Sequence, residues 1–553
     1  MLRISKSHWH LPDVRERAER SLASGAWTRD LVSDMVRLRL AEDPEGLVVM
    51  DGTQTLSRRE VHDRALRLGS ALARRGLRKG SVVAFQLPNW SEACVISLAC
   101  ALYGFVLCPL LLMYRERELG FILAQTECEA IFVPGLFRSV DYLDLLARVL
   151  AGTDRPVETF TIRAGDDRAA SFEGLLAEAG AIIEPPDVDP GSVKSIGFTS
   201  GSTGRPKGVL HSHDTMHATI RRSAAFWGID GSDRLFVPSP IGHVGGAIYA
   251  FEFPWFTGAS AHLMEVWDAA AAVDRIDGEE LTFCAGATPF LQGLLERATA
   301  LGTHLPSLRR FVCGGASVPA SLVESAARQF RHAVVSRAYG SSEVPLVCPG
   351  IRARSEALYG RTTDGEIDID VRIVDADDRP VPPGQDGDIL ARSSGMLLGY
   401  LETDDEDGQW TPDGYFRMGD VGRLVEGRYL EITGRRKEII IRLGENISPL
   451  EIENVLLQCP AVERVAVVGV PNDRTGERAA AFVSVRPGHR FDFGDMQDFL
   501  RQSGLARQKF PEELHVMDAL PTNSIGKILK SELKLIAAGR QASGAGAAAG
   551  PDR

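Results

Sequence analysis

The sequence predicts a layered α/β protein with a large N-terminal domain, a β-rich subdomain within it, and a small mobile α+β domain at the C-terminus. Three observations support this prediction. Helical and strand patterns alternate through the first part of the chain, which is typical of a largely parallel sheet covered by helices. After about residue 365 short strands and tight turns predominate. From residue 434 a compact α+β pattern begins.

The N-terminal alternation is read from apolar periodicity and from helix-capping residues. The predicted elements are a helix over 57–75 that ends at Gly76, a strand over 81–86, an apolar helix capped by Ser91, a helix over 116–126 and a strand over 130–133. Similar apolar runs, each followed by glycine or a polar turn, occur at 282–283, 311–313 and 333–335.

One segment, 94–113, is uncharged and long enough to span a bilayer. Gly104 and Pro109 divide it into a helix and a short extended piece. We therefore expect a buried helix that leads into a buried strand, and no membrane span.

The later part of the chain divides at two points. Residues 1–433 are predicted to form the N-terminal domain, with 365–433 as its β-rich subdomain. Residues 434–538 are predicted to form the C-terminal domain. Its expected elements are strand 439–441, helix 449–458, strands 465–470 and 480–485, and helix 495–503. The Ala- and Gly-rich residues 539–553 predict a disordered tail.

Composition limits the function classes. The 553 residues are 44% apolar and 25% charged, as in ordinary globular proteins, and the net charge of −12 argues against nucleic-acid binding. Only 9 of the 62 basic residues are lysines. Because Arg replaces Lys on most solvated surfaces, this bias draws attention to Lys207, Lys437 and Lys527.

The eight cysteines show no C-x-x-C spacing and lie mostly in apolar runs, which predicts buried free thiols. The N-terminal residues lack the apolar core of a signal peptide. Both observations favour a cytoplasmic location.

The segment from Phe198 to Gly208 has the composition of a phosphate-binding loop. Its glycines admit a polyanion close to backbone N–H groups, and its hydroxyls add donors. The spacing of P-loop ATPases is absent, and Pro206 before Lys207 argues against a helix start of that kind. A flexible linker is disfavoured because an apolar strand over 192–198 precedes the loop. The candidate phosphate ligands are Thr199, Ser200, Gly201, Ser202, Thr203, Gly204 and Lys207.

Four later segments extend this pattern. They are Tyr339-Gly340-Ser341-Ser342-Glu343, the turn at 414–420, Gly434-Arg435-Arg436-Lys437-Glu438, and the stretch 521–527 that ends in Lys527. With the loop, and in this order, they resemble the adenylate-forming superfamily of acyl-CoA synthetases, aryl-CoA ligases, luciferases and peptide-synthetase adenylation domains. The resemblance covers residues 45–535.

The resemblance implies how ATP is held. The loop would hold the β- and γ-phosphates, and Glu343 would hold Mg²⁺. The adenine would lie on Gly315 and Ala316 and stack on Tyr339, with Gly340, Ser341 and Ser342 beside it. Asp420 would accept the ribose hydroxyls, and Ile432 and Arg435 would contact the ribose and phosphate.

The resemblance also implies the two chemical roles of the C-terminal domain. Lys527 would bridge the attacking carboxylate and the α-phosphate. Lys437 would be the hinge about which the domain swings to admit CoA. Gly444, Leu443 and Lys509 are the candidate CoA contacts, and Leu443 stands where a glycine is usual.

The acid is expected to bind near residues 240–249, where no carboxylate is placed to pair with an amino acid. His243 would lie beside the substrate carboxylate. Gly245, Gly246 and Ala247 would leave space, and Phe226, Trp227, Ile248, Tyr249, Ala287 and Gly315 would complete the pocket. The surrounding sequence resembles that of ligases that act on medium-chain fatty acids or cyclohexanecarboxylate.

The predicted function is therefore an ATP-dependent acid–thiol ligase that forms an acyl-AMP and then an acyl-CoA. Its expected ligands are a carboxylic acid, ATP, Mg²⁺ and CoA, with no nucleic acid. Two alternatives stay open: an enzyme that loads the phosphopantetheine of a carrier protein, and a non-catalytic nucleotide-binding relative. A homodimer also stays open.

Overall fold

The computed structural model describes residues 14–152, 155–165, 168–178, 180–200, 205–315, 318–442, 445–472, 474–522 and 527–544. The helices in this part of the chain are α1 (Arg15–Ala23), α2 (Val32–Glu42), α3 (Arg58–Arg74), α4 (Ser91–Tyr103), α5 (Glu116–Thr126), α6 (Tyr142–Leu150), α7 (Phe172–Glu178), α8 (His213–Trp227), α9 (Val244–Phe251), α10 (Phe253–Thr257), α11 (Ala269–Gly278), α12 (Thr288–Leu301), α13 (Ala320–Gln329), α14 (Ala357–Thr362), α15 (Pro449–Leu456), α16 (Phe493–Gln502) and α17 (Lys530–Gly544).

The strands are β1 (Leu47–Met50), β2 (Thr55–Ser57), β3 (Val82–Phe85), β4 (Val106–Pro109), β5 (Cys128–Pro134), β6 (Leu136–Phe137), β7 (Val140–Asp141), β8 (Glu158–Ile162), β9 (Ala170–Ser171), β10 (Val193–Ser200), β11 (Pro206–Ser212), β12 (Arg234–Val237), β13 (Ser260–Leu263), β14 (Phe283–Gly286), β15 (Arg310–Cys313), β16 (Val334–Arg337), β17 (Asp370–Val374), β18 (Gly387–Arg392), β19 (Gly399–Tyr400), β20 (Phe416–Val425), β21 (Tyr429–Arg435), β22 (Ile440–Arg442), β23 (Glu445–Ile447), β24 (Val462–Asn472), β25 (Gly476–Val485) and β26 (Glu513–Val516).

Two large sheets form the N-terminal part. A seven-stranded sheet has the order β16-β15-β14-β12-β13-β1-β2, and an eight-stranded sheet has the order β19-β11-β10-β4-β3-β5-β8-β9. Most neighbouring strands are parallel, as the alternating pattern predicted, and antiparallel pairs occur at β1–β2, β10–β11 and β11–β19. The predicted α/β class is confirmed.

The uncharged segment 94–113 forms most of α4 and all of β4, so the expected break at Gly104 is confirmed. Every residue of α4 is buried, in one core with residues of both large sheets. Ser91, predicted as the cap, is instead the first helical residue, and its backbone N–H donates to Asp51 Oδ2 at 2.8 Å. None of the helices in the described ranges has the length and apolar character needed to cross a bilayer. All eight cysteines are buried and free.

The C-terminal part contains two smaller sheets. β17, β18, β20 and β21 form a four-stranded antiparallel sheet, which accounts for the predicted β-rich pattern. β22–β26 form a separate five-stranded sheet packed against α15, α16 and α17. The disordered tail predicted over 539–553 begins too early, because α17 continues to Gly544; residues 545–553 lie outside the described part of the chain.

Candidate active site

The predicted phosphate loop connects two antiparallel strands at the edge of the eight-stranded sheet. Thr199, near the end of β10, lies opposite Lys207, near the start of β11. As Pro206 suggested, a strand and not a helix follows the loop. A Cβ on Gly208 would lie 2.9 Å from Leu401 Cβ, so this position requires glycine. Residues 201–204 and the Ser200 side chain lie outside the described part of the chain.

Lys207 is oriented by the segment that pairs with β11. Its Nζ lies 3.1 Å from Asp405 Oδ1, and 5.2 Å from the centre of the Tyr400 ring. The β11–β19 pairing, which places Val209 opposite Tyr400, brings these residues together. An anionic phosphate group at this position would compete with Asp405 for the Lys207 ammonium.

Glu343 lies on the other side of Tyr400. The Tyr400 hydroxyl donates to Glu343 Oε1 at 2.9 Å. Burial, together with the Glu343 carboxylate, raises the pKa of Tyr400 far above its ordinary value, so the hydroxyl stays protonated and a donor. Lys207, Tyr400 and Glu343 thus form a continuous polar row beside the loop.

A second polar group is formed by Tyr339, Asp420 and Arg435. The Tyr339 hydroxyl donates to Asp420 Oδ2 at 2.7 Å, and Arg435 Nε donates to Asp420 Oδ1 at 3.0 Å. Asp420 and Arg435 are cross-strand partners in β20 and β21. Burial and the neighbouring carboxylate raise the pKa of Tyr339 well above its ordinary value. Both oxygens of Asp420 are therefore fixed in position.

The predicted adenine platform lies at the ends of β15 and β16. A Cβ on Gly340 would come 2.4 Å from the Leu346 backbone nitrogen, so glycine is required for this close approach. Gly315 has φ +82°, and Ala316 lies outside the described residues. The Ser342 carbonyl accepts a hydrogen bond from His211 Nε2 at 2.7 Å.

Two other predicted nucleotide ligands are held locally. Ser341 Oγ accepts from the Val344 backbone N–H at 3.1 Å, which closes the turn before Glu343. Ile432 N–H donates to Asp364 Oδ2 at 2.8 Å in β21.

Lys527 comes from the C-terminal unit and lies in a strongly charged environment. Burial, and next the Arg435 guanidinium, lower its pKa, while Glu438 and Asp420 oppose the shift. Lys530, one turn further along, fixes Glu438 through an ion pair of 2.6 Å and also contacts Glu453 at 2.8 Å. Lys527 thus lies near enough to the Asp420–Arg435 pair for their charges to interact.

His243 also lies within electrostatic range of Lys527. Its Nδ1 accepts the backbone N–H of Gly245 at 3.0 Å at the start of α9, so a neutral ring carries its proton on Nε2. Burial, and next the Lys527 ammonium, lower the pKa of His243 and favour this neutral form. Lys527 is therefore within electrostatic reach of both His243 and Asp420.

A cavity begins at His243 and extends between α9, α8 and the eight-stranded sheet. Its wall is largely apolar and includes Leu107, Met216, Ile220, Ala247, Ile248 and Phe251. Ser342 and Gly197 also line it, next to the nucleotide residues. The cavity is thus a suitable place for the non-reacting part of an acid.

Several predicted pocket residues lie elsewhere. A Cβ on Gly246 would come 2.4 Å from the Pro240 carbonyl oxygen, so this glycine permits backbone packing and does not create open space. Trp227 and Tyr249 pack with Phe253 and Phe283 in the core between the sheets. Ala287 is the N-cap of α12.

The remaining predicted positions belong to the C-terminal unit. Lys509 Nζ forms an ion pair with Glu451 at 2.7 Å, on α15. Lys437 lies in a 3-10 turn at 436–438, directly after β21. Leu443 and Gly444 lie outside the described residues.

Three residues of the site were missed in the sequence: Tyr400, Asp405 and Lys194. Asp405 lies in an acidic run of four residues, 404–407, which is a weak signal. Lys194 lines the cavity and is 6% exposed. The scarcity of lysine in the sequence points to Lys207, Lys437 and Lys527 and does not single out Lys194.

Comparison with known proteins settles the family. The chain matches the AMP-binding enzyme family over residues 37–401 and the AMP-binding enzyme C-terminal domain over residues 451–527. It belongs to the adenylate-forming superfamily, as an enzyme of the acyl-CoA ligase type. The indoleacetate–CoA ligase of Aromatoleum aromaticum is 32% identical, with 85% of this chain and 91% of the relative covered. The medium-chain fatty-acid–CoA ligase of Escherichia coli is 29% identical, with 92% and 91% covered. ATP and CoA, both predicted as ligands, are confirmed as co-substrates of this enzyme class.

Solved structures give the same result. The ATP-bound crystal structure of MatB from Rhodopseudomonas palustris superimposes with a TM-score of 0.81, at 27% identity, and covers 91% of this chain and 98% of MatB. The apo crystal structure of MatB superimposes with a TM-score of 0.69, at 28% identity and the same coverage. The chain is thus more similar in overall arrangement to the ATP-bound form.

Proposed function

We propose that this ligase condenses a largely apolar carboxylic acid with ATP to give an acyl-AMP and pyrophosphate, and then transfers the acyl group to the CoA thiol. One observation carries the proposal. Lys527 lies within electrostatic reach of His243, at the mouth of the apolar cavity, and of the Asp420–Arg435 pair. A cation in this position can approach both an acid carboxylate and a nucleotide α-phosphate.

In the first half-reaction, a carboxylate oxygen of the acid attacks the α-phosphorus, and the bond to the β-phosphate oxygen breaks. Two anions must be brought together, so neutralisation of charge is the main requirement. Lys527 supplies positive charge at the forming bond. Lys207 breaks its ion pair with Asp405 and binds the departing pyrophosphate. Asp420 accepts hydrogen bonds from both ribose hydroxyls, because Tyr339 and Arg435 hold its carboxylate in place.

The neutral His243 has a positioning role. With Nδ1 occupied by the Gly245 N–H, Nε2–H is the donor that the ring can present to the acid carboxylate. A neutral donor orients the carboxylate without the strong ion pair that would weaken its nucleophilicity.

Mg²⁺ is the metal that fits this site. Among the described residues no group of three or more His, Cys, Asp or Glu side chains could hold a metal ion. A single carboxylate is nevertheless enough for Mg²⁺, which takes most of its ligands from phosphates and water. Glu343, oriented by Tyr400 and next to the loop, would hold it, and the ion would neutralise phosphate charge when bound.

In the second half-reaction, the CoA sulfur attacks the acyl carbonyl carbon, and AMP leaves with the electron pair of the acyl–oxygen bond. In this proposal Lys527 fills the site during adenylation, so the C-terminal unit must turn to admit the thiol. Lys437, in the turn after β21, is the proposed hinge. The better superposition on ATP-bound MatB supports an adenylation-competent arrangement here.

Pyrophosphate release tests this function. We expect release that depends on ATP, Mg²⁺ and an apolar acid, with formation of acyl-CoA on addition of CoA. Acyl transfer to a phosphopantetheinylated carrier protein but not to CoA would contradict the choice of acceptor. Absence of pyrophosphate with medium-chain, alicyclic and aryl acids would contradict the function as a whole.

A further inference from the structure

A buried ion pair interrupts the apolar wall of the acyl cavity. The ammonium of Lys194 contacts Glu252 Oε1, and both residues line the cavity together with Ser97. Lys194 is 6% exposed and Glu252 is 5% exposed. Charged side chains are rarely buried in this way unless they are paired, and a wall that contacts only hydrocarbon gains nothing from such a pair.

A β-bulge directs Lys194 into the cavity. Val193 lies opposite Ser212, but Ser195 lies opposite His211, so Lys194 is the extra residue on β10. The bulge places Val193 in the same core cluster as Ile196 and Phe198, while Lys194, Ser195 and Gly197 line the cavity. Bulges of this kind commonly re-aim a side chain next to an active site.

Two basic side chains, Lys194 and His217, lie against Glu252. Its Oε2 lies 3.2 Å from His217 Nε2, while His217 Nδ1 donates to the Asp30 carbonyl at 3.0 Å. Burial alone would raise the pKa of Glu252, but Lys194 and His217 hold this pKa well below its ordinary value. The carboxylate is therefore anionic, with Lys194 next to one oxygen and His217 next to the other.

Lys194, in contrast, has donors to spare. An ammonium carries three N–H donors, and Glu252 accepts through one oxygen. Lys194 lines the cavity, so a ligand bound there can approach the ammonium. Lys194 and Thr199 are five residues apart on β10, so the ion pair lies roughly 15 Å from the phosphate end of the strand.

We propose that Lys194 and Glu252 select acids whose far end carries an uncharged oxygen acceptor, such as a keto or hydroxyl group. This inference rests on the proposed function and names its substrate class. The oxygen would accept a hydrogen bond from Lys194 and so provide a further acceptor for the ammonium. A plain hydrocarbon would strip water from the ammonium without replacing it. A second carboxylate would lose the hydration of a full charge in a largely apolar cavity, which costs more than the desolvation of a neutral oxygen.

Matched acids test the selectivity directly. Wild-type kcat/KM for pyrophosphate release is compared for octanoate and 7-oxooctanoate, for cyclohexanecarboxylate and 4-oxocyclohexanecarboxylate, and for the dicarboxylate suberate. Sites built to pair a substrate oxygen reject analogues that lack it far more strongly than apolar pockets do. We therefore expect a preference for the oxo acids of at least about 100-fold. Equal or better use of the hydrocarbon acids, or of suberate, would overturn the inference.

Variants assign the preference to the ion pair. Lys194→Met/Glu252→Gln removes the ammonium and the carboxylate together, so neither is left buried without the other, and Lys79→Met, at an exposed position, is the control. We expect the double variant to lose most of the preference for oxo acids while its kcat/KM for the hydrocarbon acids is retained. If the folded variant keeps the wild-type ratio of kcat/KM between oxo and hydrocarbon acids, the assignment to the ion pair is overturned. If the variant does not fold, the inference is decided by that ratio in the wild-type protein.

These outcomes are separable from failure of the proposed function. If no acid releases pyrophosphate, the proposed function itself fails. If hydrocarbon and oxo acids are used equally, the ligase activity stands and only the selectivity inference fails.

Discussion

Lys207 and Lys527 are both assigned to the phosphates of ATP, but the structure surrounds them differently. Lys207 is paired with Asp405 at 3.1 Å and lies over the Tyr400 ring, within one sheet edge of the N-terminal part. Lys527 comes from the C-terminal unit, and burial and Arg435 lower its pKa. One ammonium is stabilised where it is, and the other is held in a partly unfavourable position.

This difference indicates two kinds of contribution to the reaction. A cation that already has a carboxylate partner exchanges it for a phosphate, and gains about equally in the ground state and the transition state. A desolvated cation beside another cation gains most when new negative charge develops next to it. We therefore expect Lys207 to act mainly through nucleotide binding and Lys527 mainly through the rate of adenylation.

The largest effect is expected for Lys527→Ala. The rate of acyl-AMP formation should fall by about 1000-fold, or about 4 kcal/mol of transition-state stabilisation, with little change in the KM for ATP. The measurement is acid-dependent pyrophosphate release. Lys534→Ala, at an exposed position of α17, is the matched control and should leave the rate unchanged. A change confined to KM would remove the distinction between the two lysines.

Lys207→Met should act in the complementary way. We expect the KM for ATP to rise by roughly 10- to 100-fold and kcat to change much less, because uniform binding is lost. Asp405→Asn is the control, since it removes the competitor for Lys207 and should leave the KM unchanged or lower it. If Asp405→Asn raised the KM as much as Lys207→Met, the ion pair would itself be required for ATP binding.

The pH dependence should also separate the two lysines. A lowered pKa means that Lys527 loses its charge as pH rises through a value below the ordinary 10.5. Adenylation should therefore decline at a pH where an exposed lysine is still charged. In Lys527→Arg the guanidinium stays charged, so this alkaline decline should move to higher pH. Pyrophosphate release measured across the alkaline range checks this, and an identical decline in both proteins would show that another group titrates.

The smallest effect is expected for Tyr339→Phe. Loss of the hydrogen bond to Asp420 should cost about 1 kcal/mol, seen as a roughly fivefold rise in the KM for ATP. Tyr359→Phe removes a similar bond, to Glu426 at 2.7 Å, on an exposed surface and is the control. Equal effects of the two substitutions would mean that the Tyr339 bond does not serve the nucleotide.

The residues proposed to bind ATP could be identified in the sequence because they lie in short contiguous motifs. Lys207, Glu343 and Asp420 each lie in or next to a short segment whose glycines are visible in the sequence. Tyr400 and Asp405 could not be found in this way. Their position beside Lys207 depends on the pairing of β11 with β19, strands that are far apart in the chain.

The acyl cavity was predicted less well, for a physical reason. Apolar residues such as Trp227 and Tyr249 are equally suited to the wall of a ligand pocket and to the protein core, so composition does not distinguish the two locations. Lys194 enters the cavity through a change of strand register, which a single sequence does not show. The location near His243 was thus predictable, whereas the polarity of the far wall required the structure.

The two half-reactions of Lys527→Ala test the central claim most directly. Single-turnover formation of acyl-AMP is measured with acid and ATP, and thioester formation is measured separately with synthetic acyl-AMP and CoA. We predict that the first rate falls by about 1000-fold while the second stays within a few-fold of wild type. Equal loss of both rates would contradict the role assigned to Lys527.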